Sequence, residues 1–217
     1  PAALVVHPGA GNQHGTLANA ILADYPTAAN LPRCGIVHRL DKDTTGLMVV
    51  AKTLEAHTDL VAQLQERSVN REYEAVVSGV MTGGGTVDQP IGRHPKQRKK
   101  MAVVKGAKEA RTHYKVLQRF AGHTYIRLKL ETGRTHQIRV HMASIKYPIV
   151  GDDAYGGRFR IHKGVSDQLR ETLHSFGRQA LHARELGLEH PETGEYLSWT
   201  SDLPQDMQQL LQALTDE

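Results

Sequence analysis

His38-Arg39-Leu40-Asp41-Lys42-Asp43-Thr44-Thr45-Gly46 sets one acid among fixed cations at a turn between two apolar runs. Ile36 and Val37 lead in with strand character, Asp43-Thr44-Thr45-Gly46 carries turn chemistry, and Leu47-Met48-Val49-Val50-Ala51 leads out as a second strand. Asp41 therefore falls where a rigid element gives way to loop, so its carboxylate is both accurately held and reachable from solvent. The plain alternative is a solvated turn whose Asp bonds its own backbone. Asp41-x-Asp43-x-Thr45-Gly46 also matches the opening of a calcium-binding EF-hand loop. The twelfth position of such a loop supplies a bidentate Glu; here it is Lys52, and the exiting segment is β-branched, which argues against calcium.

The 217 residues fit one large domain or two fused lobes, a size that buries on the order of 70% of the unfolded surface. Cys34 is the single cysteine, which excludes a disulfide framework or a cysteine-based zinc site and points to a reducing compartment. No apolar run approaches the ~20 residues of a membrane span and no signal-peptide pattern opens the chain, so a cytoplasmic location without a membrane partner is expected. The formal charge is +4 and the pI near 9.2, with the positive charge concentrated locally. Arg93, Lys96, Arg98, Lys99, Lys100, Lys105 and Lys108 share one stretch with a single acid, Glu109, at its end. The stretch holds no aromatic residue, so it suits sequence-blind contact with phosphates rather than base stacking, Lys99 and Lys100 above all; a solvated loop is the alternative.

Strand and helix signals alternate, which reads as α/β of the α+β type, a mixed, mainly antiparallel sheet flanked by helices. Thr53 caps a helix to about Arg67 with Leu60, Val61 and Leu64 as its apolar stripe. Glu72 to Met81 is strand-like until Gly83-Gly84-Gly85 breaks it. Thr112 to Phe120 and Thr124 to Glu131 read as an antiparallel pair, with Ile126, Leu128 and Leu130 facing the core against outward Arg127 and Lys129. Thr135 caps a short helix to about Ile145, buried along Ile138, Met142 and Ile145, with Arg139 about 100° around from Ile138 and so at a cleft rather than in the core. Asp202 and Pro204 open a final helix striped by Met207, Leu210, Leu211 and Leu214.

The motif at 38–46 resembles the signature of the RluA-type pseudouridine synthases. Further blocks agree in order: Val5-Val6-His7-Pro8-Gly9, Arg71-Glu72-Tyr73-Glu74-Ala75, Thr132-Gly133-Arg134-Thr135-His136-Gln137-Ile138-Arg139-Val140-His141, Pro148-Ile149-Val150-Gly151-Asp152 and Gln179-Ala180-Leu181-His182-Ala183. Arg93-His94-Pro95-Lys96 with Ala154-Tyr155-Gly156-Gly157 leans toward the synthase D branch, whose substrate is large-subunit (23S) ribosomal RNA. The resemblance covers nearly the whole chain. It implies a bisected sheet with the active cleft across its middle, residues 1–217 as the catalytic domain, and a small S4-like RNA-binding domain upstream. The implied chemistry breaks the glycosidic bond of a uridine, turns the bound uracil and rejoins it through C5. No electrons enter or leave, so neither metal nor small-molecule cofactor is called for.

The same resemblance assigns the catalytic carboxylate to Asp41, as nucleophile or as base; both routes stay open. Arg139 is the candidate guanidinium that fixes and ionises it, with Arg134 as runner-up. Tyr73 would stack on the uracil and Leu181 wall it; Arg39 would enter the space left by the extruded base. His38 would brace the loop or touch a phosphate, and Arg134 and His136 with the start of their helix would hold another. Taken alone, Tyr73 and Leu181 read as ordinary core residues. Rival readings are the same chemistry on transfer RNA, a magnesium nuclease using Asp41 and Asp43 with Asp152 and Asp153, and a non-catalytic RNA-binding module. His136 and His141 are five apart and no Glu follows His136, a spacing that does not suit zinc.

Overall fold

The computed structural model describes residues 1–9, 12–156 and 164–217. Nine strands form among them: β1 (Thr45–Gly46), β2 (Asn70–Ser78), β3 (Gly85–Asp88), β4 (Ile91–Arg93), β5 (Met101–Val103), β6 (Arg111–Arg119), β7 (His123–Leu130), β8 (Leu181–Glu189) and β9 (Tyr196–Thr200). Seven make one sheet in the order β1-β8-β2-β7-β6-β3, with β9 also on β8; β4 and β5 form a separate hairpin. Every pairing between these strands is antiparallel except β1 with β8. The helices are α1 (Leu17–Asp24), α2 (Leu54–Glu66), α3 (Gln137–Ser144), α4 (Asp167–Ser175) and α5 (Gln205–Thr215).

Alternation builds the central strands. Ile126, Leu128 and Leu130 of β7 are buried while Lys129 is exposed, and they join Tyr73, Ala75, Leu181 and Ala183 with Met207, Leu210 and Leu214 of α5 in the largest core cluster. Thr53 caps α2 by accepting the Ala56 N–H.

Four local expectations are corrected. The segment 47–51 is not a paired strand: apart from one bridge between Ile36 and Val50, the strand here is Thr45–Gly46. The run still alternates, because Leu47 and Val49 pack into the cluster around Leu60 and Leu188, whereas Met48 and Val50 pack into the one around Val6 and Ile36. Side-chain periodicity is satisfied by two small cores, without a ladder partner. β2 stops at Ser78, because Gly79 takes φ +100. Thr135 is not the cap of α3; His136 is, in the left-handed region without a side-chain bond, and Gln137 to Met142 are all buried, not one stripe. Asp202 pairs with Arg184, and Pro204 stands at the start of α5.

Gly46 is fixed by contact. A Cβ there would lie 2.2 Å from the Ala183 carbonyl oxygen, and its φ is +109, so only glycine lets the parallel β1–β8 pairing close. The pairing seats the turn just before it against the middle of the sheet.

Candidate active site

Asp41 begins that turn, with the Thr44 N–H donating to its carbonyl (2.9 Å). Three side chains hold the turn from the far end of the sequence. Arg178 Nη1 donates to the Asp43 carbonyl (3.1 Å), Gln179 Nε2 to Thr44 Oγ1 (3.1 Å), and Thr45 Oγ1 lies 2.8 Å from His182 Nδ1. Arg178 is itself forked onto Asp206 of α5 at 2.6 and 2.9 Å.

The turn borders a cleft of about 570 Å³. Its walls come from the 38–41 loop, the inward face of β2 (Arg71, Tyr73), Leu130 and Leu181, the 131–136 loop, Arg139 of α3 and one side of α2. Arg139 Nη1 donates to Asp41 Oδ2 at 3.1 Å. Its Nε and Nη2 donate to Asp152 Oδ2 and Oδ1 at 2.7 and 2.8 Å, and the Asp152 side chain is wholly buried. One guanidinium thus joins two carboxylates, one enclosed and one at the cleft. Burial works against the Arg139 cation, but Asp152 and Asp41 outweigh it and its pKa stands above the ordinary arginine value.

Tyr73 and Leu181 are 7% and 3% exposed and both line the cleft, so they are core and wall at once. Burial raises the Tyr73 phenol, with Arg71 opposing and Asp41 adding. His38 accepts the Val49 N–H at Nε2 (3.0 Å), the brace of the loop; burial and then Arg71 push its pKa down to about 4, so it is neutral at pH 7. Arg39 is exposed on the cleft wall.

Arg134 does not reach Asp41: its Nε donates to the Glu109 carbonyl (2.9 Å). His136 does approach, with Nε2 3.8 Å from Asp41 Oδ1. Its Nδ1 lies 2.7 Å from the Tyr155 hydroxyl, whose oxygen accepts the Met101 N–H (2.9 Å). In the tautomer in which the phenol donates to Nδ1, Nε2 is the N–H facing Asp41. Burial lowers the His136 pKa against the pull of Asp41. The N–H of Gln137 is bonded to the Arg134 carbonyl, so the helix start is partly occupied. Lys99 and Lys100 stand outside the cleft, at the end of the loop joining β4 to β5, with Lys99 exposed. That hairpin is rooted on α3 where Ile91, Ala110 and Val140 pack with Met101 and Tyr155.

Sequence reasoning gave no role to Asp152 as a clamp of Arg139, to Tyr155, or to Arg178 and Gln179 behind the turn. Asp152, Tyr155 and Gln179 lay in blocks already singled out, so the signal was there; Arg178 acts through contacts that spacing does not reveal. Gly157 lies outside the described residues.

The sequence profile of the RNA pseudouridylate synthase family matches residues 1–144. The chain is 65% identical over 217 residues to ribosomal large subunit pseudouridine synthase D of Pseudomonas aeruginosa, covering all of this chain and 68% of that protein. It is 59% identical over 214 residues to the protein of the same name from Escherichia coli K12, covering 99% of this chain and 66% of that one. The chain thus spans about two thirds of the length of these relatives. Among solved structures it resembles human RNA pseudouridylate synthase domain containing 4, with TM-score 0.75 and 27% identity over 99% of this chain and 87% of that one. The chain belongs to the RNA pseudouridylate synthase family, isomerases that convert uridine to pseudouridine within RNA.

Proposed function

We propose that this chain isomerises uridines in structured large-subunit ribosomal RNA in the cytoplasm, with Asp41 as the reacting carboxylate. Arg139 holds that carboxylate, Tyr73 stacks on the uracil, Leu181 walls it, and Arg39 fills the space the base leaves. Residues 1–217 act as one catalytic domain. The observation that carries the reading is the 3.1 Å pair between Arg139 Nη1 and Asp41 Oδ2, placed in a cleft large enough for one everted nucleotide and lined by an aromatic and an aliphatic wall. The names of the relatives support the RNA class, and the basic loop of the β4–β5 hairpin, with Arg134 and His136, supplies phosphate contacts.

Ribosomal RNA and transfer RNA are incubated with the protein and excess chelator, then digested to nucleosides. Pseudouridine appears in the ribosomal RNA with strand length unchanged, and Asp41→Asn forms none while still binding RNA. Shortened RNA would favour a nuclease, and appreciable product from Asp41→Asn would remove Asp41 from its role.

A further inference from the structure

Arg71 of β2 is 6% exposed and lies on the cleft wall, two residues from Tyr73 and on the same face of the strand. Of the other arginines lining the cleft, Arg139 is committed to Asp41 and Asp152, Arg67 to Glu109 and Arg134 to the Glu109 carbonyl, while Arg33 and Arg39 are exposed to solvent, so Arg71 is the buried cation among them without a carboxylate. Among the described residues Arg71 meets no carboxylate at ion-pair distance, its one hydrogen bond is a long one from Nη2 to the Glu131 carbonyl (3.5 Å), and its Nε is buried with no partner. A cation so placed is costly, and such groups persist where the surroundings have a use for them. Gly133 makes room for it. A Cβ at Gly133 would sit 2.8 Å from Arg71 Nη1, so any side chain there would displace the end of the guanidinium from its present position.

We propose that Arg71 is a further catalytic residue, whose guanidinium donates to a carbonyl oxygen of the bound uracil and stabilises the charge it carries once detached. The assignment rests on the cleft being the uridine site argued above. When the C1′–N1 bond breaks, its electron pair stays with uracil and spreads over N1, O2 and O4. C5 then bonds C1′, the C5 proton is lost and N1 gains one, so atoms and electrons balance without a co-reactant. Arg139 is neutralised by its two carboxylates, which leaves Arg71 to meet the charge beside Tyr73. It gains little from the neutral base and much from the anion, which is the difference that lowers a barrier.

The test measures pseudouridine formation in a single turnover at saturating enzyme, RNA affinity and thermal melting for the parent protein, Arg71→Met, Arg71→Lys and Asp41→Asn. Arg71→Met is expected to slow the single turnover on the order of 10² to 10³-fold, the scale for loss of one preorganised donor. Its RNA affinity stays within about twofold and its melting temperature is equal or higher, since an apolar chain of similar length replaces an unpaired buried charge. Arg71→Lys recovers part of the rate. Unchanged turnover in Arg71→Met, loss of affinity with normal turnover at saturation, or melting well below the parent would each overturn the assignment, the last by making Arg71 part of the framework. Absence of product from the parent protein, or an active Asp41→Asn, would instead overturn the reading of the cleft.

Discussion

Asp152→Asn is the most informative single change, because it keeps the shape of a wholly buried side chain and alters only what that side chain offers to Arg139. Asp152 Oδ2 takes the Arg139 Nε–H at 2.7 Å, while Oδ1 takes the Nη2–H at 2.8 Å and the N–H groups of Ala154 and Tyr155 at 3.0 and 3.1 Å. An amide NH₂ set at Oδ1 faces three donors and set at Oδ2 faces one, so the variant adopts the second arrangement and still opposes the guanidinium donor to donor. Breaking a buried ion pair from one side costs 3–5 kcal/mol; Arg139 keeps Asp41, so the low end applies, about 3 kcal/mol. For a chain of this size that lowers Tm by roughly 6–12 °C. Arg139, held by one group instead of two, no longer fixes the Asp41 carboxylate, and turnover falls on the order of 10²-fold, the scale of a small misplacement at a reacting centre. Calorimetry and pseudouridine counting read the two effects, with Asp153→Asn, an exposed neighbour, as control. A Tm within about 2 °C of the parent with unchanged turnover, or equal losses in the control, would refute the reasoning.

Removing the charges of Lys99 and Lys100 lowers RNA affinity and flattens the plot of log affinity against log salt by roughly one unit for each phosphate no longer neutralised, with single-turnover rate at saturation preserved; an unchanged slope counts against the hairpin as a phosphate-binding element. Arg39→Ala slows modification of a uridine in structured RNA more than of an unpaired one, and equal losses on both argue against its entering the vacated stack. His38 has a folded pKa of about 4 against an ordinary value of 6.5, so the folded state declines a proton that the unfolded state takes. Its contribution to stability is complete above pH 6.5 and lost as the pH falls toward 4; melting followed across that window drops less steeply in His38→Gln, and an identical pH profile would remove His38 from the account.

The β6–β7 pairing was legible because Ile126, Leu128 and Leu130 alternate cleanly, and α2 and α5 because each pairs an apolar stripe with a recognisable start, whereas the partner of β2 was not read. The helix carrying Arg139 was harder. It is buried from Gln137 to Met142, so the stripe read from Ile138, Met142 and Ile145 did not mark its orientation, and its cap is a left-handed His136 rather than a hydroxyl. Two helices were not anticipated, although Ser166 accepting the Leu169 N–H, with Leu169 and Leu173 buried, is an ordinary capping signal for α4. In the cleft, residues standing in contiguous motifs could be named from the chain, whereas partners that meet across 98 positions, as Arg139 and Asp41 do, or 135, as Arg178 and Asp43 do, could be paired only by resemblance or not at all.

The hold of Arg178 on the Asp43 carbonyl has a kinetic corollary. The corner bearing Asp41 is moored by Arg178, Gln179 and His182, and the first of these is anchored by Asp206, so its scaffolding comes from strand and helix made well over a hundred residues later. Closing such long chain intervals is slow, which places maturation of this corner late in folding. A nascent polypeptide still short of β8 therefore carries Asp41 without the moorings that aim it, and the geometry of the cleft arrives with global consolidation, not with synthesis of the motif.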